Sequence, residues 1–336
     1  MEVRPVRRPR RPGIGILGRM VVEGEVRARR GWVTFLLTLV LLALAGVAAL
    51  RFVGFDGNWY VIAPLSLTPY VVPVGVLLAV LAMLLRRWWI GVLALMVAGA
   101  VAALVVPRLS AIDQRAAHGR TLRVLASNLY IGSADPREVV NLVRANQVDV
   151  LNLVELTPDV LRRLDEAGLF TLLPYRVLHT DPGVEGSGIV SRFPLAETHL
   201  AGDSSVKQPG ARVDLGDGVV VEVVAVHPIA PDIDSRRWER ELKDLSAAEG
   251  EHGIRILAGD FNATLDHAAF RTVLSRGYLD AAEQRGDALT PTWHTAAPLV
   301  ALDHVVVDRR AAVRDFRVFK VPGSDHRAVY AEIQLP

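Results

Sequence analysis

Two short stretches near the end of the chain carry residue types suited to phosphate chemistry: Gly259-Asp260-Phe261-Asn262 and Gly323-Ser324-Asp325-His326. Each sets a carboxylate beside a second polar group, after an apolar, strand-like run. Buried strands deliver side chains to their carboxyl ends, where α/β folds gather catalytic groups. A Gly-Asp-x-Asn turn and a Ser-Asp-His turn together offer metal ligands, a phosphate holder and a base, the equipment of a metal-dependent phosphoesterase. The placement recurs upstream. Asn128 follows Leu125-Ala126-Ser127, Glu155 follows an apolar run at 149–154, His227 ends a Val-rich run at 219–226, and Asp303 interrupts the run 300–307.

The elements needed to position these groups are legible as patterns. Strands are expected over 122–127, 148–154, 219–226, 300–307 and 328–335, the third being nearly unbroken Val and Ala, as buried strands are. Residues 136–145 fit an amphipathic helix with Val139, Val140, Leu142 and Val143 on one face. With no cysteine in 336 residues, disulfides, thiolate metal sites and cysteine nucleophiles are excluded.

The apolar fraction of 51% is high for a soluble protein, and its excess lies in the first third. Three uncharged runs, at about 33–50, 61–85 and 88–106, have the length needed to cross a ~30 Å hydrocarbon core. Pro64, Pro69 and Pro73 mark the second as the one prone to kink. Residues 1–32 form an Arg-rich tail with nine arginines from Arg4 to Arg30, and Arg86-Arg87 separates the second and third runs. The positive-inside rule then puts the N-terminus and that turn in the cytoplasm of a multi-pass cell-membrane protein. After three spans and a linker at 107–120, the domain 121–336 falls outside the cell. Charge divides the same way. Residues 1–111 hold 13 Lys/Arg against four acids, whereas 112–336 hold 25 against 32, a net of −7.

In this second part the chain resembles the endonuclease/exonuclease/phosphatase superfamily, whose fold is a four-layered α/β sandwich. The matching pieces, in the family's order, are Ser127-Asn128-Leu129, Leu153-Val154-Glu155-Leu156, the stretch from Gly188 to Pro194, Val226-His227-Pro228, the stretch from Gly259 to Thr264, Leu302-Asp303-His304-Val305 and Ser324-Asp325-His326. The resemblance implies Glu155 as principal ligand of Mg²⁺ or Mn²⁺, which prefer hard oxygen donors, with Asn128 and Asp325 in support. It implies His326 as the base that activates water, oriented by Asp303. Asp260 would orient the water or hold a second metal, Asn262 would donate to a phosphate oxygen, and His227 would donate to phosphate and protonate the leaving oxygen. Tyr130 stands where many nuclease members carry an acid or Asn. His304 should point to the opposite face of its strand from Asp303 and is read as structural. Trp293 is read as pocket wall or core. Arg192 and Arg212 are expected to be solvated strand-edge residues, and His179 has no assigned role.

An acidic domain lacks the Lys/Arg surplus that attracts nucleic acid. Apolar spans followed by an outward phosphoesterase domain resemble membrane-bound teicoplanin-resistance proteins of actinobacteria. That resemblance implies a phosphatase acting on a polyprenyl (pyro)phosphate or related envelope phosphate. An extracytoplasmic endonuclease, a phospholipid phosphodiesterase and a non-catalytic envelope sensor are the alternatives.

Overall fold

The structure, a computed structural model, describes residues 16–248 and 253–336, with side chains from residue 31 onward. The Arg-rich stretch expected to set the topology lies outside the described residues, or outside the described side chains. Helices are α1 (Ile16–Val53), α2 (Trp59–Ser66), α3 (Val71–Leu84), α4 (Trp88–Val105), α5 (Pro136–Ala145), α6 (Pro158–Glu166), α7 (Leu169–Leu172), α8 (Pro231–Asp244), α9 (Ala268–Ser275) and α10 (Ala281–Arg285). Strands are β1 (Thr121–Asn128), β2 (Val150–Val154), β3 (Tyr175–His179), β4 (Ser187–Ser191), β5 (Leu195–Thr198), β6 (Gly210–Asp214), β7 (Val220–Val226), β8 (Ile254–Asp260), β9 (Tyr278–Asp280), β10 (Asp303–Asp308), β11 (Ala312–Lys320) and β12 (Arg327–Gln334).

The strands form two six-stranded sheets, β11-β12-β1-β2-β4-β3 and β5-β6-β7-β8-β10-β9. Alternation along each strand explains the layering. Leu122, Val124 and Ala126 of β1 join Val221, Val223 and Ile256 in the core between the sheets. Leu125 and Leu151 turn the other way, onto α5 and α6 through Val139, Val143 and Val160. Val224 and Leu257 likewise meet Trp238 of α8 and Phe270 of α9 on the outer face of the second sheet. Helix, sheet, sheet, helix is therefore the order of layers. Each sheet has a parallel pair near its middle, β1 with β2 and β7 with β8. The carboxyl ends of those four strands lie together at one edge.

The expected strand over 300–307 begins only at Asp303. Val300 instead pairs with Trp293 in a separate bridge, which leaves the residues before Asp303 as a loop.

Gly31–Val53 and Trp88–Leu109 are long and apolar enough to cross a membrane, each with a mean hydropathy of 2.6. The run expected at 61–85 is not one straight helix. Its two pieces, Trp59–Ser66 and Thr68–Leu84, meet at 55°. Pro64 lies inside α2 and Pro69 opens the next turn, and the missing amide hydrogens break the ladder between them. Helices α3 and α4 pack closely through small residues. A Cβ on Gly75 would lie 3.0 Å from the Ala98 Cβ, and one on Gly91 would lie 3.1 Å from the Ala79 carbonyl oxygen.

Helix α2 turns onto the sandwich. Ile62 is 1% exposed and shares the cluster of Trp238, Phe261 and Phe270. A polar clasp surrounds this contact. Arg51 donates to Asp266 Oδ1 (2.8 Å), and Arg108 donates to both Asp266 oxygens (3.0 Å each). Asp56 accepts from the amides of Ala268 and Ala269 (2.7 Å each), meeting the free N–H groups of the first turn of α9. His267 Nε2 lies 3.0 Å from the Ile62 carbonyl oxygen. Arg108 falls within the expected linker, yet residues 106–109 form a short 3-10 turn and Arg108 is 6% exposed.

Candidate active site

Six of the eight expected site residues converge where the strands end. Asn128 closes β1, Glu155 follows β2, His227 follows β7, Asp260 closes β8, Asp303 opens β10 and His326 precedes β12. Register brings them opposite one another. Asn128 aligns with Val154, and Asp303 pairs directly with Asp260. Gly259 makes the approach of β8 to β7 achievable. It adopts φ +153°, and a Cβ there would lie 2.1 Å from the Val226 carbonyl oxygen.

Glu155 is held by two donors. Asn128 Nδ2 donates to its Oε1 (2.9 Å) and the Ile131 amide to its Oε2 (2.8 Å). The second bond requires the left-handed turn at Tyr130 and Ile131, both at φ +48°. Asn128 also donates to Asp260 Oδ2 (3.2 Å), while its own oxygen accepts from the Tyr130 amide (2.9 Å). Asn128 therefore turns its nitrogen, not its oxygen, toward the carboxylates. In this orientation it links the two acids.

His326 sits between two carboxylates, with Nδ1 2.9 Å from Asp303 Oδ2 and Nε2 3.5 Å from Asp260 Oδ2. Thr292 accepts from the amides of Leu302 and Asp303 (3.0 and 3.1 Å), which fixes Asp303. Ser324 accepts from the His326 amide (3.1 Å) and donates to the Asn128 carbonyl (2.8 Å), tying the last turn to β1. The turn itself needs Gly323 at φ +83°, where a Cβ would lie 2.2 Å from the Ser133 oxygen.

His227 Nε2 is 3.9 Å from Glu155, and its Nδ1 is buried without a partner. The Asn262 amide donates to Asp260 Oδ1 (2.8 Å), and its side chain donates to the Pro228 carbonyl (3.1 Å). Asp325 stands apart from the acid cluster. Its Oδ2 accepts from Trp293 Nε1 (3.3 Å), and its Oδ1 is buried without a partner. The Trp293 ring lies 6.4 Å from the His326 ring, at the rim of the site.

The electrostatics are those of a site short of positive charge. Burial raises the Asp260 pKa, the nearby Asp303 raises it further, and His326 and His227 offset only part of this. Burial likewise raises Glu155 against the hydrogen bonds from Asn128 and Ile131. Burial pushes His326 down, but Asp303 and then Asp260 outweigh it and hold its pKa up at about 10. Burial keeps His227 below its ordinary value and therefore neutral at pH 7. Among the described residues, no Lys or Arg forms an ion pair with Glu155, Asp260, Asp303 or Asp325.

The remaining singled-out residues lie elsewhere. His304 turns to the other face of β10, 2.8 Å from Asp280 and 2.9 Å from the Ala263 oxygen, with its ring against Phe270 and Phe261. Arg192 and Arg212 pair with Asp149 and Glu222 (3.4 Å each), and His179 lies 2.6 Å from Glu197. Sequence patterns gave no signal for Thr292 or for Gln208, which accepts from the His227 amide (3.0 Å).

Oxygen donors gathered in a buried cleft, with no Lys or Arg partner among the described residues, fit a hard divalent ion. Asp260, Asp303 and His326 bring ligand atoms within 4.8 Å of one another. Such a fold and site define a metal-dependent phosphoric ester hydrolase. The profile of the Endonuclease/Exonuclease/phosphatase family matches residues 125–326, and the chain belongs to that family. No curated protein matches it in sequence. In fold it is similar to an endonuclease/exonuclease/phosphatase from Beutenbergia cavernae DSM 12333, at 19% identity and TM-score 0.51, over 64% of this chain and 72% of that one. It is also similar to D. rerio TDP2 complexed with single strand DNA product, at 18% identity and TM-score 0.51, over 63% of this chain and 98% of that one.

Proposed function

We propose that this protein is a membrane-anchored phosphatase of a lipid-linked envelope (pyro)phosphate, of the kind its resemblance to teicoplanin-resistance proteins implies. The observation that carries the reading is the clasp of Arg51, Asp56 and Arg108 on Asp266 and α9. It fixes a phosphoesterase site to helices apolar enough to lie in a bilayer. The multi-pass topology, with the N-terminus in the cytoplasm and the domain at 121–336 outside, is part of the same proposal. The −7 balance of residues 112–336 weighs against a nuclease.

In this reading Glu155 is the principal metal ligand, Asp325 lends a further oxygen, and Asn128 holds Glu155 and Asp260 in place. With Mg²⁺ or Mn²⁺ bound by these residues, charge on a phosphate oxygen would be neutralised. Phosphoryl transfer asks mainly for positioning and charge neutralisation. The proton of the attacking water enters the Asp260–His326 pair, oriented by Asp303, and its ownership belongs to the pair. His227, neutral at pH 7, donates a hydrogen bond to phosphate with Asn262 beside it.

The test uses the full chain in nanodiscs with Mg²⁺ or Mn²⁺, a long-chain isoprenyl pyrophosphate, and supercoiled plasmid in parallel. Metal-dependent phosphate release without nicking is expected, and it should vanish in Asp260→Ala and His326→Ala. Release that persists in either variant, or nicking at a comparable rate, sinks the assignment.

A further inference from the structure

Between the apolar helices and the sandwich lies a cavity of about 370 Å³, within the ~300–1,000 Å³ range of ligand sites. Its walls are mostly apolar: Val72 and Pro73 of α3, Val105 of α4, and Leu289 and Val300 of the sandwich, with the Arg108–Asp266 pair at one side. A hydrogen-bonded strip of chain leads from its wall to the active site. Tyr70 donates to the Leu299 carbonyl (2.8 Å), and Leu299 and Val300 both donate their amides to the Trp293 carbonyl (2.9 and 3.1 Å). Trp293 then bridges to His326. Along this path Tyr70, Leu299 and Trp293 are 38%, 55% and 38% exposed, three large apolar side chains in a row between helix and catalytic histidine. Ala301 lines the cavity two residues before Asp303, so no more than about 7 Å of chain separates the two.

We infer that this cavity and the Leu299–Trp293 track seat the hydrocarbon chain of the substrate, and this rests on the lipid-phosphate reading above. The walls given by α3 and α4 belong to segments suited to a bilayer, so a chain enters without crossing water. At the other end the track delivers whatever the chain carries to Asp260, Asp303 and His326. A soluble phosphate ester would have no use for such a track. The expected selectivity therefore depends on chain length as well as on phosphate.

Two changes outside the catalytic set test this in the full chain. Leu299→Glu puts a charge on the exposed track, and Val72→Trp fills the cavity from α3. Both should raise KM for a long-chain isoprenyl pyrophosphate about tenfold, the scale of losing one leucine-sized apolar contact. Neither should alter kcat, nor the hydrolysis of water-soluble p-nitrophenyl phosphate, which also reports correct folding. An isoprenyl pyrophosphate bearing a terminal diazirine should label wild-type peptides that contain Val72 or Leu299, a readout independent of turnover and of any variant. Lipid hydrolysis by wild type with unchanged KM in both variants and labelling elsewhere overturns the seat alone. Hydrolysis of the soluble ester with none of the lipid overturns the proposed function, and the seat with it.

Discussion

Asp260 closes β8 and Asp266 follows six residues later, each 2% exposed, and their surroundings drive them in opposite directions. Burial would raise Asp266, but the guanidinium of Arg108 and then that of Arg51 override it and hold the carboxyl below its ordinary value. Asp260 meets Asn128, the Asn262 amide, His326 and a second acid, and its pKa is raised. Burying a carboxylate is costly in either place. At the helix junction the chain supplies the opposing charge itself, from segments 215 and 158 residues away. At the catalytic edge the opposing charge among the described residues comes from His326, with no Lys or Arg beside it. One acid therefore fastens the molecule together, and the other stores unfavourable charge for chemistry.

Substitutions separate the two roles, beginning with activity. Asp260→Asn or Asp303→Asn should lower kcat about a thousandfold or more, within the range seen for lost acid–base and electrostatic groups. Asp266→Asn should leave the turnover of folded protein unchanged, as measured by phosphate release per active site. Next in size is stability. Asp266→Asn strands two guanidinium groups and should cost about 3–5 kcal/mol in denaturant unfolding. Asp260→Asn should raise metal-free stability, because the charged form of that group opposes folding. Equal signs for the two would dissolve the contrast.

The pH dependence sharpens it further. The folded pKa of His326 is raised, from 6.5 to about 10, so its contribution is complete below pH 6.5 and lost as pH rises through about 10. The melting temperature in chelator should fall across that window, and Asp303→Asn should move the fall to lower pH. Asp266, with a depressed pKa, contributes above its ordinary 3.8 and loses that contribution only as pH falls below it. The smallest effect belongs to Asp56→Ala, which removes two acceptors at the start of α9. It should cost about 1–2 kcal/mol, the worth of a helix cap, with the KM for substrate unchanged.

The catalytic edge was far more legible in sequence than the junction. Asn128, Glu155, His227, Asp260, Asp303 and His326 each follow or open an apolar run, and a strand's carboxyl end is a local signal. The layers followed from period-two alternation and from the face of α5. By contrast, Asp56, Arg108 and Asp266 look like ordinary polar residues between elements, because their partners are fixed only once distant segments fold together. The break between α2 and α3 was half visible, since Pro64 and Pro69 predict a kink but not that Ile62 would enter the core of the sandwich. Thr292 and Gln208 act only by accepting backbone hydrogen bonds, two and one respectively, which leaves no periodic trace. The sequence places Asn128 beside the acids but gives no sign that its oxygen accepts from the Tyr130 amide while its nitrogen faces Glu155 and Asp260.

The contrast between the arginine-paired acid and the acid at the catalytic edge is tested most directly by titrating Mn²⁺ into the full-length protein at neutral pH by calorimetry. Wild type and Asp266→Asn should both show saturable binding, and Asp260→Asn should lose it or bind far more weakly. Undiminished binding in Asp260→Asn, or loss in a folded Asp266→Asn, would contradict the assignment of the metal to the catalytic edge.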